Sequence, residues 1–177
     1  MYLTKVREFI NQFPEVTKDF RGCTLEQIAN LESKLNVRLP EAYREFLEWF
    51  GEKGGLMLRG SDVYYPYLIG SIWESYIEEG IYPEDTSLLK FSIELLNQYN
   101  FKGEELLRNS IIIFSHQGTA FRYIKTNEGE DPNVYMFAEQ GKWLENGPMI
   151  WGESFSDYLL STLEQEIKAY KHLGVLK

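Results

Sequence analysis

Four groups of residues have the types that chemistry requires, and their spacing decides whether any could perform it. Gly51-Glu52-Lys53-Gly54-Gly55 is rich in glycine but lacks the G-x-x-x-x-G-K-[ST] order, and it follows a helix-like stretch where a phosphate loop would follow a strand. His116 and His172 are the only histidines, separated by 55 intervening residues and away from any spaced set of acids and cysteines, so no transition-metal site is expected. Cys23 is the only cysteine. With His116 it could form a thiolate pair, but a lone cysteine just before a helix cap reads first as a small packed residue. Glu78-Glu79 and Glu84-Asp85 supply carboxylate pairs of the kind a glycosidase uses, yet their density reads as a surface, without a spacing peculiar to acid–base work. No constellation of convergent titratable groups points to a hydrolase or transferase, so neither catalysis nor a cofactor is expected.

What remains is recognition through charge. The chain carries 27 acidic and 18 basic residues, a net charge of −9, which disfavours nucleic-acid backbones and anionic membranes as direct partners. That charge is unevenly placed. Between Gly60 and Leu89 lie six acids (Asp62, Glu74, Glu78, Glu79, Glu84, Asp85) and no Lys or Arg, and between Thr126 and Gly141 lie four more (Glu128, Glu130, Asp131, Glu139), again with no base. Removing these ten charges leaves the rest of the chain at +1. Charge runs of this kind commonly serve only as solvated faces. Here, however, Trp73, Tyr76, Tyr82, Tyr64, Tyr65 and Tyr67 are interleaved with the first run. Aromatic rings anchor protein interfaces, and a ring among carboxylates suits Arg and Lys through cation–π contact added to ion pairing. Trp73, Glu74, Glu78, Glu79, Glu84, Asp85, Glu128, Glu130 and Asp131 are therefore the candidate partner-binding residues, and the partner they fit is a basic protein.

The elements that must position these residues follow from periodicity. Leu3, Val6, Phe9, Ile10 and Phe13 recur at helical spacing up to Pro14, which would halt the helix. Thr24-Leu25-Glu26-Gln27 has the form of a capping box opening a second helix. The stripe of that helix is Leu25, Ile28, Leu31 and Leu35, and it ends where Asn36 can turn left-handed. Pro40 is placed as the first residue of a third helix with a buried face of Tyr43, Phe46, Leu47 and Phe50, closed by Gly51. Beyond Gly54-Gly55 the short apolar runs Leu56–Leu58, Val63–Ile69, Ile111–Phe114, Ala120–Ile124 and Val134–Phe137 read as strands. A helical stripe at Leu88, Phe91, Leu95 and Tyr99 interrupts them, and Ser154 caps a last helix through Phe155, Tyr158, Leu159, Thr162 and Leu163. Connections as short as Asn127-Glu128-Gly129-Glu130-Asp131 suit antiparallel pairing and are too short for parallel crossovers. The expected fold is α+β, a single domain over residues 1–177 with an antiparallel β-sheet packed against several helices.

The absence of a cysteine pair suggests a reducing, cytoplasmic setting. The first residues, Met1-Tyr2-Leu3-Thr4-Lys5-Val6-Arg7-Glu8, lack the apolar run of a secretion signal, and no stretch approaches the roughly 20 apolar residues of a membrane span.

The segment Ile28, Leu31, Glu32, Leu39, Pro40, Tyr43, Phe46, Leu47 and Gly51 resembles the signature of the SUKH superfamily: a helix reading I-x-x-L-E, a Leu-Pro turn, then Y-x-x-F-L and a Gly. Ile111–Phe114, the strand around Val134 and Ser154-Phe155-Ser156-Asp157-Tyr158-Leu159 resemble its later pieces, so the likeness runs from about residue 23 to 163 with an added N-terminal helix. The chain departs from the commoner pattern in having Phe50 before Gly51 and no Asp after Gly118. The resemblance implies a non-enzymatic immunity protein that neutralises a toxin, often a nuclease, and it brings no cofactor. The same fold also serves eukaryotic regulation, so a scaffold or regulatory protein-binding module is the alternative.

Overall fold

The computed structural model describes residues 1–60, 63–68, 88–116 and 119–176. In chain order these form α1 (Thr4–Ile10), α2 (Pro14–Thr17), β1 (Phe20–Arg21), α3 (Leu25–Leu35), α4 (Glu41–Phe50), β2 (Lys53–Gly54), α5 (Tyr65–Leu68), α6 (Leu88–Gln98), α7 (Gly103–Leu106), β3 (Ser110–His116), β4 (Ala120–Lys125), β5 (Val134–Ala138), α8 (Lys142–Asn146), β6 (Met149–Gly152) and α9 (Phe155–His172). The sheet-and-helix architecture expected from the periodicity is the one found.

The sheet is an antiparallel meander in the order β3-β4-β5-β6, with Ile111 opposite Ile124, Phe121 opposite Phe137 and Tyr135 opposite Ile150. A strand exposed on one side alternates apolar and polar residues, whereas Ile111-Ile112-Ile113 is unbroken, which is the pattern of a strand covered on both faces. Both faces are indeed covered. Ile111, Ile113, Ile124 and Val134 join the larger core with Leu3, Val6 and Ile10 of α1, Ile28 and Leu31 of α3, the inner face of α4, and Phe155, Leu159 and Leu163 of α9. Ile112, Phe121, Tyr123 and Phe137 point the other way, onto Leu95 and Leu96 of α6 and onto Leu107. Each fully buried side chain of this size contributes about 1.5–3 kcal/mol relative to exposure.

The α3–α4 hairpin is the best-determined local unit. The Thr24 hydroxyl accepts from the Gln27 amide while the Gln27 side chain accepts from the Thr24 amide, and Asn36 closes α3 in the left-handed conformation at φ 52°. Glu32 then pins the turn: its Oε1 accepts from the Leu39 amide and from Arg44 Nη1, both at 2.9 Å. The inner face of α4 is Ala42, Tyr43, Phe46, Leu47 and Phe50, and Phe155 at the head of α9 packs edge-on against Tyr43 and Phe46.

Several expectations are corrected. Pro40 stands one residue outside α4, at its N-cap, and Gly51 ends the helix in a right-handed conformation. Leu25, 70 % exposed, lies off the buried stripe of α3, which consists of Ile28 and Leu31. The α6 stripe is phased differently: Ser92, Leu95 and Leu96 are buried while Phe91 is 45 % exposed. Residues Leu56–Leu58 form no strand, since Met57 N turns back to Gly54 O and Leu58 is left-handed at φ 54°, a conformation no strand accommodates. Tyr65–Leu68 is a helical turn whose first amide donates to Gly51 O; Pro66 has no amide to offer a ladder.

Candidate functional site

Six of the nine candidate partner-binding residues, Trp73, Glu74, Glu78, Glu79, Glu84 and Asp85, lie outside the described residues. The other three, on the turn between β4 and β5, are engaged within the molecule. Both oxygens of Glu128 accept from Tyr135 Oη, at 3.0 and 3.1 Å, and Lys125 Nζ approaches to 3.9 Å. Glu130 caps α4: its Oε2 accepts from Glu41 N at 3.0 Å and its backbone carbonyl from Ala42 N at 2.9 Å, with Arg38 3.7 Å from Oε1. Asp131 caps α9, accepting from Ser156 N at 2.9 Å and Ser156 Oγ at 2.6 Å, next to the Ser154 hydroxyl that accepts from Asp157 N. Negative charge at a helix N-terminus is favourable through the orphan amides and the helix dipole. One turn thus supplies caps to two helices.

The other groups singled out for chemistry have packing roles. Cys23 is buried, and desolvation, with the nearby Glu52 charge adding, pushes its thiol up to about 12, so the nucleophilic thiolate is scarce at neutral pH. In the glycine-rich stretch, Lys53 and Gly54 pair with β1, and a Cβ on Gly54 would collide with the Tyr64 hydroxyl. Among the described residues no group of three or more His, Cys, Asp or Glu could hold a metal ion, and none of the described helices is long and apolar enough to cross a membrane.

The arrangement that does gather functional groups is a groove of about 310 Å³ between the sheet and α9, lined by Leu58, Arg59, Phe114, Arg122, Thr162, Gln165, Glu166 and Ala169. Three elements build it. On α9, positions 162, 165, 166 and 169 follow the i, i+3, i+4, i+7 rule and so share one face. On the sheet, Phe114 and Arg122 sit opposite each other across β3 and β4. The third wall is the 55–59 turn, tied down by long-range bonds: Glu166 accepts from Leu58 N with both oxygens (3.2 and 2.9 Å), Tyr170 Oη donates to Leu56 O (2.7 Å) and Tyr64 Oη donates to Met57 O (2.7 Å).

The electrostatics of this groove run against those of the chain. The Arg122 guanidinium lies 4.1 Å from the Phe114 ring centre, 5.5 Å from that of Tyr158 and 5.7 Å from that of Trp151, and its Nη1 donates to Tyr158 Oη at 3.0 Å. Its Nε is buried without a hydrogen-bond partner, and no carboxylate comes within 4 Å of it, among the described residues. Arg59 Nε is held by Gly55 O at 2.9 Å. Burial raises the Glu166 carboxyl above its usual range, partly offset by the Leu58 amide and by Arg122. Two cations, one carboxylate, an amide and a hydroxyl form a set suited to recognition. Sequence reasoning missed Arg59, Arg122 and Glu166; the signal available was the polar face at 162, 165 and 166 on an otherwise amphipathic helix.

Compared with known protein families, the chain matches the model described as SMI1 / KNR4 family (SUKH-1) over residues 22–161. A comparison with curated proteins finds no match.

Proposed function

Because the chain belongs to the SMI1 / KNR4 family (SUKH-1), a family generally associated with immunity-type proteins, we propose that it is a non-enzymatic immunity protein that binds and neutralises a cognate bacterial toxin of nuclease type in the cytoplasm. The observation that carries this reading is the charge pattern: six acids and no base between Gly60 and Leu89, interleaved with Trp73, Tyr76 and Tyr82, in a chain that sums to +1 outside this run and the four acids between Thr126 and Gly141. A nuclease presents Arg and Lys where it holds nucleic acid, and an acidic inhibitor is steered onto such a surface from a distance. Covering that surface excludes the substrate. Trp73, Glu74, Glu78, Glu79, Glu84 and Asp85 form the proposed contact. Glu128 extends the negative field, and Glu130 and Asp131 add to it while capping helices.

The test is capture by the tagged protein from lysates of its source at low and high salt, followed by a nuclease assay on what is recovered. A basic nuclease domain, weakened by salt and inhibited by the pure protein, is expected. Changing Glu78, Glu79 and Glu84 together to Lys should then slow its association about tenfold or more at low salt, with the urea midpoint measured alongside to check that the fold is intact. Recovery of regulatory proteins alone, or association unaffected by the triple change, would overturn the reading.

A further inference from the structure

Arg122 presents an unbalanced account of charge. A guanidinium partly withdrawn from water normally meets a carboxylate, since desolvating an unpaired charge is costly. Arg122 instead meets three aromatic rings and a phenol, keeps an unpartnered Nε–H and has no ion pair among the described residues, although it lines an open groove. Arg59, on the wall made by the 55–59 turn, likewise has no ion pair within 4 Å among those residues. Glu166, the carboxylate of the lining, is already engaged by the Leu58 amide. The described residues of the lining therefore sum to +1 in a chain of −9.

We propose that this groove is a receptor for one carboxylate, the side chain of a Glu or Asp on the protein partner, held between Arg122 and Arg59. A single negative charge balances the lining, whereas a phosphate dianion would face Glu166 with charge to spare. Planar guanidinium also matches carboxylate geometry well. The surroundings favour a polypeptide as the source. Trp151, 49 % exposed and 5.7 Å from the Arg122 guanidinium, leads from the groove onto β6, where Ile150 is 56 % exposed. β6 ends the sheet order among the described residues, so residues flanking the acid would find apolar surface and a strand edge beside it. This source, though not the carboxylate site itself, rests on the family reading that the partner is a protein.

The experiment titrates the ¹⁵N-labelled full chain with the peptide acetyl-Gly-Glu-Gly-amide, following the Arg122 Nε–H and Trp151 indole resonances, with acetyl-Gly-Gln-Gly-amide and free glutamate as comparisons. Saturable shifts of both resonances are expected with the Glu peptide in the millimolar range, at least about tenfold weaker with the Gln peptide, as loss of a charge-assisted bond requires. Arg59→Gln and Arg122→Lys should each weaken the Glu peptide several-fold. If Arg122→Lys perturbs the fold through its aromatic contacts, Arg59→Gln on the surface turn still decides. No saturable shift, or equal binding of the Gln peptide, overturns the carboxylate site. Tighter binding of free glutamate overturns the protein source and makes this a small-molecule site. Since the titration needs no toxin, its failure leaves the immunity reading standing, and failure to capture a toxin leaves the titration result standing.

Discussion

Replacing Asp131 with Ala should cost about 2–3 kcal/mol of stability. Its carboxylate accepts two bonds from Ser156, at 2.9 Å from the amide and 2.6 Å from the hydroxyl, and hydrogen bonds to a charged group are worth about 1.5–3 kcal/mol each. Asp131 is only half-buried, so water takes up part of the loss and each bond is counted at about 1 kcal/mol, below that range. Favourable charge at the α9 N-terminus adds a few tenths. For a chain of 177 residues the shift in Tm is then about 5–10 °C. Asp131→Asn keeps the shape and one acceptor and should cost about 1 kcal/mol. Urea denaturation followed by far-UV circular dichroism measures both, and a double-mutant cycle with Ser156→Ala isolates the hydroxyl bond. If Asp131→Ala lies within about 0.5 kcal/mol of the parent, the ordinary range for surface changes, the capping argument is wrong and the carboxylate is free to face a partner.

Two further outcomes follow from buried polar atoms. Tyr43 has its hydroxyl buried with no hydrogen-bond partner among the described residues, so Tyr43→Phe relieves a desolvation cost and should leave the protein as stable or up to about 1 kcal/mol more so; a loss above 1 kcal/mol would reveal a partner. Burial raises the Glu166 carboxyl, so the folded chain holds that proton more tightly than the unfolded chain. The wild type should then lose stability relative to Glu166→Gln as pH climbs from the ordinary glutamate range through the raised value, and the gap should level off above it. Urea midpoints of the two proteins between pH 4 and 8 would contradict this if their difference stayed flat or moved the other way.

The parts of the fold legible in the sequence are those built by neighbours in the chain. Thr24 with Gln27, Asn36 and the Ser154 cap act within a turn of themselves, and all three hold in the structure. The strands at 111–114, 120–124 and 134–137 were readable because they are short, apolar and joined by tight turns. What stayed illegible depends on distant partners. An acidic turn has the same composition whether it faces water, a partner or a helix end, so Glu130 and Asp131 looked like surface. The clue was negative: α4 begins after Pro40, which has no side-chain acceptor, so its cap had to come from elsewhere. Arg122 is one basic residue between Phe121 and Tyr123 in the sequence, and only the packing of α9 beside that face of β4 makes it a groove wall. The 55–59 turn, apolar like a strand, takes its shape from Glu166 and Tyr170 on α9, more than a hundred residues later.

The borrowed cap on α4 has a consequence for the order in which the protein is made. Its acceptor lies 89 residues downstream of the Glu41 amide it satisfies, so a chain emerging from a ribosome exposes the whole α3–α4 hairpin well before that acceptor exists. During that interval the Glu41 and Ala42 amides have only water to bond to, and the aromatic face of Tyr43 and Phe46 still awaits Phe155 of α9. A chain truncated before the β4–β5 turn should therefore leave the hairpin that is easiest to recognise in the sequence frayed at the start of α4.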